Sequence, residues 1–206
     1  MLKARYATEF ERINELQLKF SADLEHPVFG EGCEVSPLIM FIGEAPGREE
    51  AECGRPFVGK AGKQLDEMLD LAGIKREEAF VTNAVKYRPT NIKNGRASNR
   101  TPTEPEIVDG LSLLKFEIET VDPVIIATLG NVPLSAVSRL IRGRIDPMKV
   151  GERHGCAMQA AIGGAVRRLF PLYHPAACIY RRELRPVLEE DLKALGRYAE
   201  ELRSRI

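Results

Sequence analysis

Four side chains of this sequence have the chemistry to bind a flat polar ring and to stabilise charge beside it. They are Glu44 in "GEAPG", Phe57 in "GRPFVGKAG", Asn83 in "VTNAV" and His174 in "YHPAA". An aromatic ring can stack on a nucleobase, and a carboxamide offers a donor and an acceptor to the edge of such a base. A histidine fixed by the following proline can donate to a developing anion. These segments predict a site for a ring-shaped ligand next to a charge-stabilising donor.

Each of these residues also has an ordinary structural explanation. Phe57 could close the hydrophobic core, Asn83 could cap its own turn, and a lone histidine is more often structural than catalytic. The "GEAPG" loop is more unusual, because Gly43, Pro46 and Gly47 impose a tight path that allows a ligand to approach the backbone closely. Its glutamate would repel a phosphate. We expect the loop to hold an uncharged group.

The candidate residues follow strands in an alternating strand–helix pattern. Apolar runs in "SPLIMFIG", "AFVTNAV", "DPVIIATLG" and "RRLFPLY" predict four buried strands. Helical spacing predicts helices over "GKQLDEMLDLAGI" and "RPVLEEDLKALGRYAEELRSRI", and Thr103 is expected to cap a helix that begins at "EPEI". Such a pattern indicates a parallel sheet covered on both faces. Since ligands bind beyond the carboxyl ends of parallel strands, we expect the candidate residues to meet at one edge.

The composition is ordinary for a globular chain and gives no net charge. The chain has 206 residues, of which 30 are basic and 30 acidic, and no apolar run approaches the roughly 18 residues of a membrane span. The N-terminal "MLKARYATEFERINELQLKF" predicts an amphipathic helix without a signal-peptide core. We therefore expect a cytoplasmic protein with no membrane association. The four cysteines contain no CxxC spacing, which favours buried thiols over metal ligands.

Basic residues are concentrated between Lys86 and Arg100, where the sequence has five basic residues and no acidic one. A charge run commonly marks a solvated surface. It can also be the electrostatic footprint of a nucleic acid partner.

Seven motifs resemble those of the uracil-DNA glycosylase superfamily. In that family's order and spacing they are "VFGEG", "IMFIGEAPGREE", "GRPFVGKAG", "VTNAVKYRPT", "TPTEPEI", "DPVIIATLG" and "YHPAA". The resemblance is closest to family 4 and covers about residues 28 to 195. It implies a three-layer α/β/α sandwich with a central four-stranded parallel sheet. It also implies one domain over residues 1–206, with residues 1–27 as an N-terminal helical extension.

The resemblance implies roles for the matching positions. Glu44 and His174 are the expected catalytic residues, with His174 resembling the donor to O2 of uracil. Phe57 resembles the ring on which a flipped base stacks, and Asn83 resembles the amide that reads uracil. Ala45 stands where other families of the superfamily carry a catalytic aspartate. The expected substrate-binding residues are Gly43, Ala45, Pro46, Gly47, Phe57 and Asn83.

Contacts to DNA are expected from the basic run and from the segment after "HPAA". The stretch from Cys178 to Arg182 resembles the loop that enters the DNA minor groove. The expected DNA-binding residues are Lys86, Arg88, Arg96, Ile179, Arg181 and Arg182.

The sequence departs from family 4 at the ligands of an iron–sulfur cluster. That family normally holds a 4Fe–4S cluster on four cysteines. Here "INELQLKFSADLEHP" contains neither of the first two, Tyr87 replaces the third and Gly110 the fourth. We therefore expect no cofactor and no metal. The segment "TNIKNGRASNR" is longer than its family counterpart, and it is expected either to replace the cluster's scaffolding or to contact phosphates.

The function implied by the resemblance is hydrolysis of the N-glycosidic bond of uracil in DNA, whether single- or double-stranded. The enzyme is expected to be a monofunctional, base-flipping monomer that initiates base excision repair. Two alternatives remain open. One is a nucleic-acid-binding relative without catalysis, and the other is a glycosylase for another deaminated base such as hypoxanthine.

Overall fold

The protein folds around a sheet whose inner strands are the four that the apolar runs predict. The computed structural model describes residues 1–20, 26–141 and 148–205, without the side chains of 16–20, so residues 21–25 of the expected extension lie outside it. The strands are β1 (Glu31–Gly32), β2 (Ile39–Gly43), β3 (Phe80–Asn83), β4 (Thr90–Lys93), β5 (Arg96–Asn99), β6 (Ile125–Leu129), β7 (Met158–Ile162) and β8 (Ala165–Leu172). The main sheet has the order β1-β3-β2-β6-β8-β7, while β4 and β5 form a separate hairpin.

Helices lie between the strands along the chain. They are α1 (Leu2–Phe20), α2 (Arg48–Cys53), α3 (Lys60–Leu71), α4 (Glu104–Val121), α5 (Asn131–Leu140), α6 (Val150–Arg153), α7 (Ala177–Tyr180) and α8 (Leu184–Arg203). Thr103 caps α4 as predicted, and Glu106 completes its capping box. Within the described ranges, no helix is both long and apolar enough to span a membrane.

The main sheet has six strands rather than the expected four. The inner strands β3, β2, β6 and β8 are parallel, and β1 and β7 add antiparallel edges. Strand β1 is two residues long and has no apolar pattern from which it could be predicted. Strand β7 joins β8 through Gly163 and Gly164, whose φ angles of 61° and 81° suit a two-residue hairpin turn. The predicted three-layer class is confirmed, with a wider middle layer.

Two buried clusters, one on each face of the sheet, produce the three layers. Alternate residues of β2 point to opposite faces, so Met40 and Ile42 join the cluster with α1, α4 and α5. Ile39 and Phe41 join the cluster with α3 and α8. Every residue of β2 is buried, as is expected of an inner parallel strand covered by helices on both sides.

The strand register brings the predicted motifs together at one edge. Gly43 at the end of β2 lies opposite Asn83 at the end of β3, and Leu129 of β6 lies opposite Leu172 of β8. His174 follows two residues after β8 ends. The chain therefore places its glycine-rich, amide-bearing and histidine-bearing loops at the same carboxyl edge.

The prediction of buried thiols holds for one of the four cysteines. Cys178 is buried, Cys33 is partly buried, and Cys53 and Cys156 are exposed. All four are free thiols.

Candidate active site

A cleft of about 500 Å³ lies at the carboxyl edge of the sheet, a volume typical of small-molecule sites. It collects residues from four of the seven motifs, "IMFIGEAPGREE", "GRPFVGKAG", "VTNAVKYRPT" and "YHPAA", although the lining residues are up to about 130 positions apart in sequence. The predicted site residues that line it are Ala45, Gly47, Phe57, Asn83, Arg88, His174 and Ile179.

Gly43 allows two of the predicted ligand-binding side chains to meet. A Cβ atom at this position would lie 2.5 Å from Cζ of Phe57 and closer still to Oδ1 of Asn83. Because real Cβ atoms do not approach other atoms so closely, any larger residue would displace the ring or the amide. Position 43 therefore requires glycine, because the Phe57 ring and the Asn83 amide approach its backbone too closely for a side chain.

Phe57 is held in a backbone conformation that a phenylalanine rarely adopts. Its φ angle is 56°, and such strain persists where the surroundings impose it. Arg76 donates to the carbonyls of Phe57 and Pro56 at 3.1 and 3.0 Å and pairs with Asp66 at 2.6 Å. A Cβ at Gly62 would collide with the Phe57 carbonyl. The ring is 6% exposed, so it both packs against the core and lines the cleft.

Asn83 presents its carboxamide to the cleft from the end of β3. The residue is only 3% exposed, and no partner for the amide occurs among the described residues. Its amide atoms are not among the fully buried polar atoms that lack a partner, so they are accessible from the cleft. The Asn83 side chain is therefore prepared for a ligand that supplies one acceptor and one donor.

Lys86 does not lie on a DNA-facing surface, which corrects its expected role. It is 2% exposed, and its Nζ donates to Oγ1 of Thr82 at 2.6 Å, to the Asn83 carbonyl at 2.5 Å and to Oε2 of Glu117 at 2.7 Å. Burial lowers the pKa of this ammonium, while Glu117 opposes that shift. Tyr6 of α1 donates to the other Glu117 oxygen at 2.8 Å. Lys86 supports the backbone of Asn83 from behind the cleft.

Replacing Glu117 with alanine is expected to destabilise the protein by about 3–5 kcal/mol, because a buried ammonium would lose its counter-charge. Urea unfolding followed by circular dichroism measures the loss. The matched control is Lys86→Met combined with Glu117→Leu, which removes both charges and should cost less than the single change. A single variant as stable as the double variant would contradict this account of the pair.

His174 is arranged to act as a neutral hydrogen-bond donor. The backbone N–H of Ala176 donates to Nδ1 at 3.1 Å, which leaves the proton of the neutral ring on Nε2. Burial lowers the pKa of His174 to about 4, although the negative charge of Glu50 opposes the shift. The imidazole is thus uncharged at neutral pH. Its Nε2–H is available to an acceptor in the cleft.

Glu44 is half-buried beside the cleft. Burial raises the pKa of its carboxyl group above the ordinary value, and a hydrogen bond with the side chain of Thr101 partly offsets the shift. The backbone carbonyl of Glu44 accepts from the N–H of Val85 at 3.1 Å. Ala45 and Gly47 line the cleft, whereas Pro46 is buried. The carboxyl group of Glu44 contacts the loop after β5.

Glu50 positions the site, and the sequence reasoning missed it. Its carboxylate accepts from the N–H groups of Gly47 at 3.1 Å and Gly59 at 2.7 Å. These glycines are the N-caps of α2 and α3, so one side chain joins the two loops that form a wall of the cleft. Its place three residues after Gly47 is the N3 position of α2, from which a glutamate side chain can accept from the N-cap N–H. Because the N-cap is a glycine, the other half of a capping box is missing from the sequence.

The remaining expected DNA contacts differ in exposure, and only Arg88 and Ile179 among them line the cleft. Arg88 is 7% exposed and donates from Nε to Oδ1 of Asn99 at 2.6 Å, while Arg96 is exposed on β5. Ile179 is 44% exposed. The expected minor-groove segment begins with a short helix, α7, whose Cys178 is buried in the core and is therefore not at the protein surface. Arg181 and Arg182 follow it and are exposed.

The residues at the family's third and fourth cluster positions do not fit an iron–sulfur group, and the segment of the first two lies largely outside the described residues. Tyr87 is 5% exposed and packs in the core on the α4 side. A Cβ at Gly110 would collide with the carbonyl of Ala84, so α4 is too close to leave room for a ligand there. Within the described part of the chain, no group of three or more histidine, cysteine or acidic residues could hold a metal ion.

Comparison with known proteins identifies the family of the chain. The model of the uracil DNA glycosylase superfamily matches residues 29–202. The chain is 40% identical over 170 residues to the Type-4 uracil-DNA glycosylase of Saccharolobus solfataricus. The matched region covers 82% of this chain and 74% of that protein. It is 39% identical over 168 residues to the Type-4 uracil-DNA glycosylase of Pyrobaculum aerophilum, covering 82% and 81%. The chain belongs to the uracil-DNA glycosylase superfamily.

Proposed function

We propose that this protein is a uracil-DNA glycosylase that hydrolyses the N-glycosidic bond between uracil and deoxyribose in DNA. The observation that carries the proposal is the meeting of Phe57, Asn83 and a neutral His174 in one cleft. Two Type-4 uracil-DNA glycosylases, 40% and 39% identical to the chain over 170 and 168 residues, support the same substrate.

Asn83 supplies the selectivity for uracil in this proposal. Its Oδ1 accepts the N3–H of uracil and its Nδ2 donates to O4. Cytosine presents an acceptor at N3 and a donor at the exocyclic amine, so both hydrogen bonds would be reversed. A site built on such bonds rejects the mismatched base strongly, because its buried polar atoms would be left unpaired.

The reaction proceeds by stabilisation of the leaving group. The base leaves the helical stack and lies against the Phe57 ring. As the C1′–N1 bond breaks, its electron pair passes to uracil, and His174 Nε2–H donates to the negative charge on O2. A water adds to C1′ and releases its proton to solvent, leaving an abasic site. We assign the orientation of this water to Glu44 from the resemblance of "GEAPG" to the family motif, since Ala45 offers no carboxylate. In this structure the Glu44 carboxyl group bonds to Thr101, and Glu44 is not among the residues that line the cleft.

The enzyme is proposed to be monofunctional and to initiate base excision repair. Lys60 is the lysine that lines the cleft in the described structure. It is exposed at the start of α3, whereas a Schiff-base lysine is typically desolvated. Borohydride is therefore expected to trap no covalent complex between the protein and uracil-containing DNA. A trapped complex would overturn the monofunctional assignment.

An oligonucleotide assay tests the proposed activity. The protein is incubated with DNA that carries uracil opposite guanine, opposite adenine or in a single strand, and the product is treated with alkali. Strand cleavage is expected at uracil. Parallel substrates with hypoxanthine or xanthine distinguish a glycosylase for another base. DNA binding without cleavage on any substrate would identify a non-catalytic relative and would overturn the proposal.

A further inference from the structure

The hairpin formed by β4 and β5 has two chemically different faces. Its turn is Asn94-Gly95, with φ angles of 52° and 71° that suit a type I′ turn. Directly opposed residues share a face of an antiparallel pair. The inner face carries the pairs Thr90–Asn99 and Ile92–Ala97, and the outer face carries Asn91–Ser98 and Lys93–Arg96.

The inner face of the hairpin forms part of the candidate active site. Ala97 and Asn99 line the cleft. Oδ1 of Asn99 accepts from Nε of Arg88, and its Nδ2 would lie 3.4 Å from a Cβ at Gly47. The hairpin is therefore continuous with the loop that follows β2.

The base of the hairpin is fixed to the body of the protein. Arg100 donates from its backbone to the Pro89 carbonyl at 3.1 Å and from Nε to the Thr90 carbonyl at 3.1 Å. Its guanidinium binds both oxygens of Glu106 at 2.6 and 2.8 Å. Burial alone would raise the pKa of Glu106, but the hydrogen bonds from Arg100 and Thr103 lower it to about 2. The hairpin is therefore anchored by the ion pair of Arg100 and Glu106, whose carboxylate stays ionised at neutral pH.

The tip of the hairpin carries two cations that repel each other. Lys93 and Arg96 lie directly opposite and are exposed. Like charges at opposed positions destabilise a strand pair, and neither residue has an acidic partner in the described structure. Ile92 beside them is 52% exposed on the inner face. This arrangement gains stability when an anion binds between the two cations.

We propose that the outer face of the hairpin binds backbone phosphates of the DNA strand whose base occupies the cleft. The proposal rests on the proposed function, because it assumes that a DNA strand with a flipped base in the cleft continues past the rim of the cleft. Strands β4 and β5 are each four residues long, or about 13 Å. Lys93 and Arg96 at the tip are therefore separated from Asn99 in the cleft by a distance that a few nucleotides of DNA can span. The hairpin extends the binding surface from the flipped base to its flanking phosphates.

Salt dependence of DNA binding tests the proposal with a matched control. The test variant is Lys93→Ala combined with Arg96→Ala. The control is Lys75→Ala combined with Arg203→Ala, which removes two cations that pair with Glu78 near the amino end of β3. The probe is a fluorescein-labelled duplex that carries 2′-fluoro-2′-deoxyuridine at one position. Its uracil can occupy the cleft, and the fluorine disfavours the cation-like sugar, so binding is measured in one register without turnover.

The test variant is expected to bind about tenfold more weakly, and its slope of log K against log salt should fall by about 0.9 for each lost phosphate contact. The control should keep the wild-type slope. A test variant with the wild-type slope, or a control that loses as much, would overturn the proposal.

Single neutral methylphosphonates then locate the contacts. Neutralising a phosphate that the hairpin binds should weaken the wild type and leave the test variant unaffected. Equal weakening of both proteins at every phosphate would contradict the assignment. Uracil excision by the wild type is measured separately, so failure of the hairpin contact and failure of the glycosylase activity give different results.

Discussion

Replacing His174 with alanine is expected to lower the single-turnover rate of uracil excision by about 10²–10³-fold, because one preorganised donor to the leaving group is lost. Nε2 carries the proton because the Ala176 N–H donates to Nδ1, and His174 lines the cleft. Rapid-quench measurement with enzyme in excess isolates the chemical step. DNA affinity should change little, since His174 donates to charge that appears only during bond cleavage. A variant that keeps the wild-type rate would remove His174 from the mechanism.

His174→Gln is the matched control for this experiment. Glutamine keeps an N–H donor but does not titrate, so it should retain more activity than alanine. The pH profile adds a second readout. Because burial lowers the pKa of His174 to about 4, the imidazole stays neutral when pH falls through 6.5, the ordinary value for histidine. We expect no histidine titration near pH 6.5. A wild-type rate that halves there, with a flat profile for the glutamine variant, would contradict the buried neutral ring.

Replacing Gly43 with alanine is expected to lower the excision rate by about 10²-fold, because a displacement of the reacting groups by about 1 Å can have this effect. The added methyl group would overlap the Phe57 ring and the Asn83 amide. Overpacking should also destabilise the fold by about 1–3 kcal/mol. Single-turnover kinetics and urea unfolding measure the two effects.

Gly151→Ala is the control for Gly43→Ala. A Cβ at Gly151 would meet Oη of Tyr173 at 3.7 Å, an ordinary contact, and the residue lies in the helix α6. Alanine there should keep the wild-type rate and stability. If the Gly43→Ala variant excises uracil as fast as the Gly151→Ala variant, the close contact of Gly43 with the Phe57 ring and the Asn83 amide has no role in catalysis.

The sequence predicted those parts of the fold that local patterns determine. The apolar runs located the four inner strands. The N-cap residue Thr103, followed by Glu106 in the first turn, predicted the start of α4. Two further signals were present but were not used. Asn94-Gly95 and Gly163-Gly164 are dipeptides typical of tight hairpins, and they would have indicated the β4–β5 hairpin and the edge strand β7.

Tertiary partners explain what the sequence could not predict in the site. Lys86 lies in a basic run, and charged residues are exposed by default. Its burial depends on Glu117, which is 31 positions away and on another element. The capping position of Glu50 is visible in the sequence, but its second bond to Gly59 depends on the three-dimensional path of the loop. Phe57 was expected either to stack on a ligand or to close the core, and in the folded chain it packs against the core and also lines the cleft.

The Glu50 bridge has a consequence for how this site meets its substrate. One carboxylate holds the starts of α2 and α3, so the two loops cannot separate without breaking a shared pair of bonds. Their conformational entropy is therefore lost during folding rather than at the encounter with DNA. Such preorganisation strengthens association by removing an ordering cost from it. This wall of the cleft acts as a rigid template, against which the incoming nucleotide must rearrange.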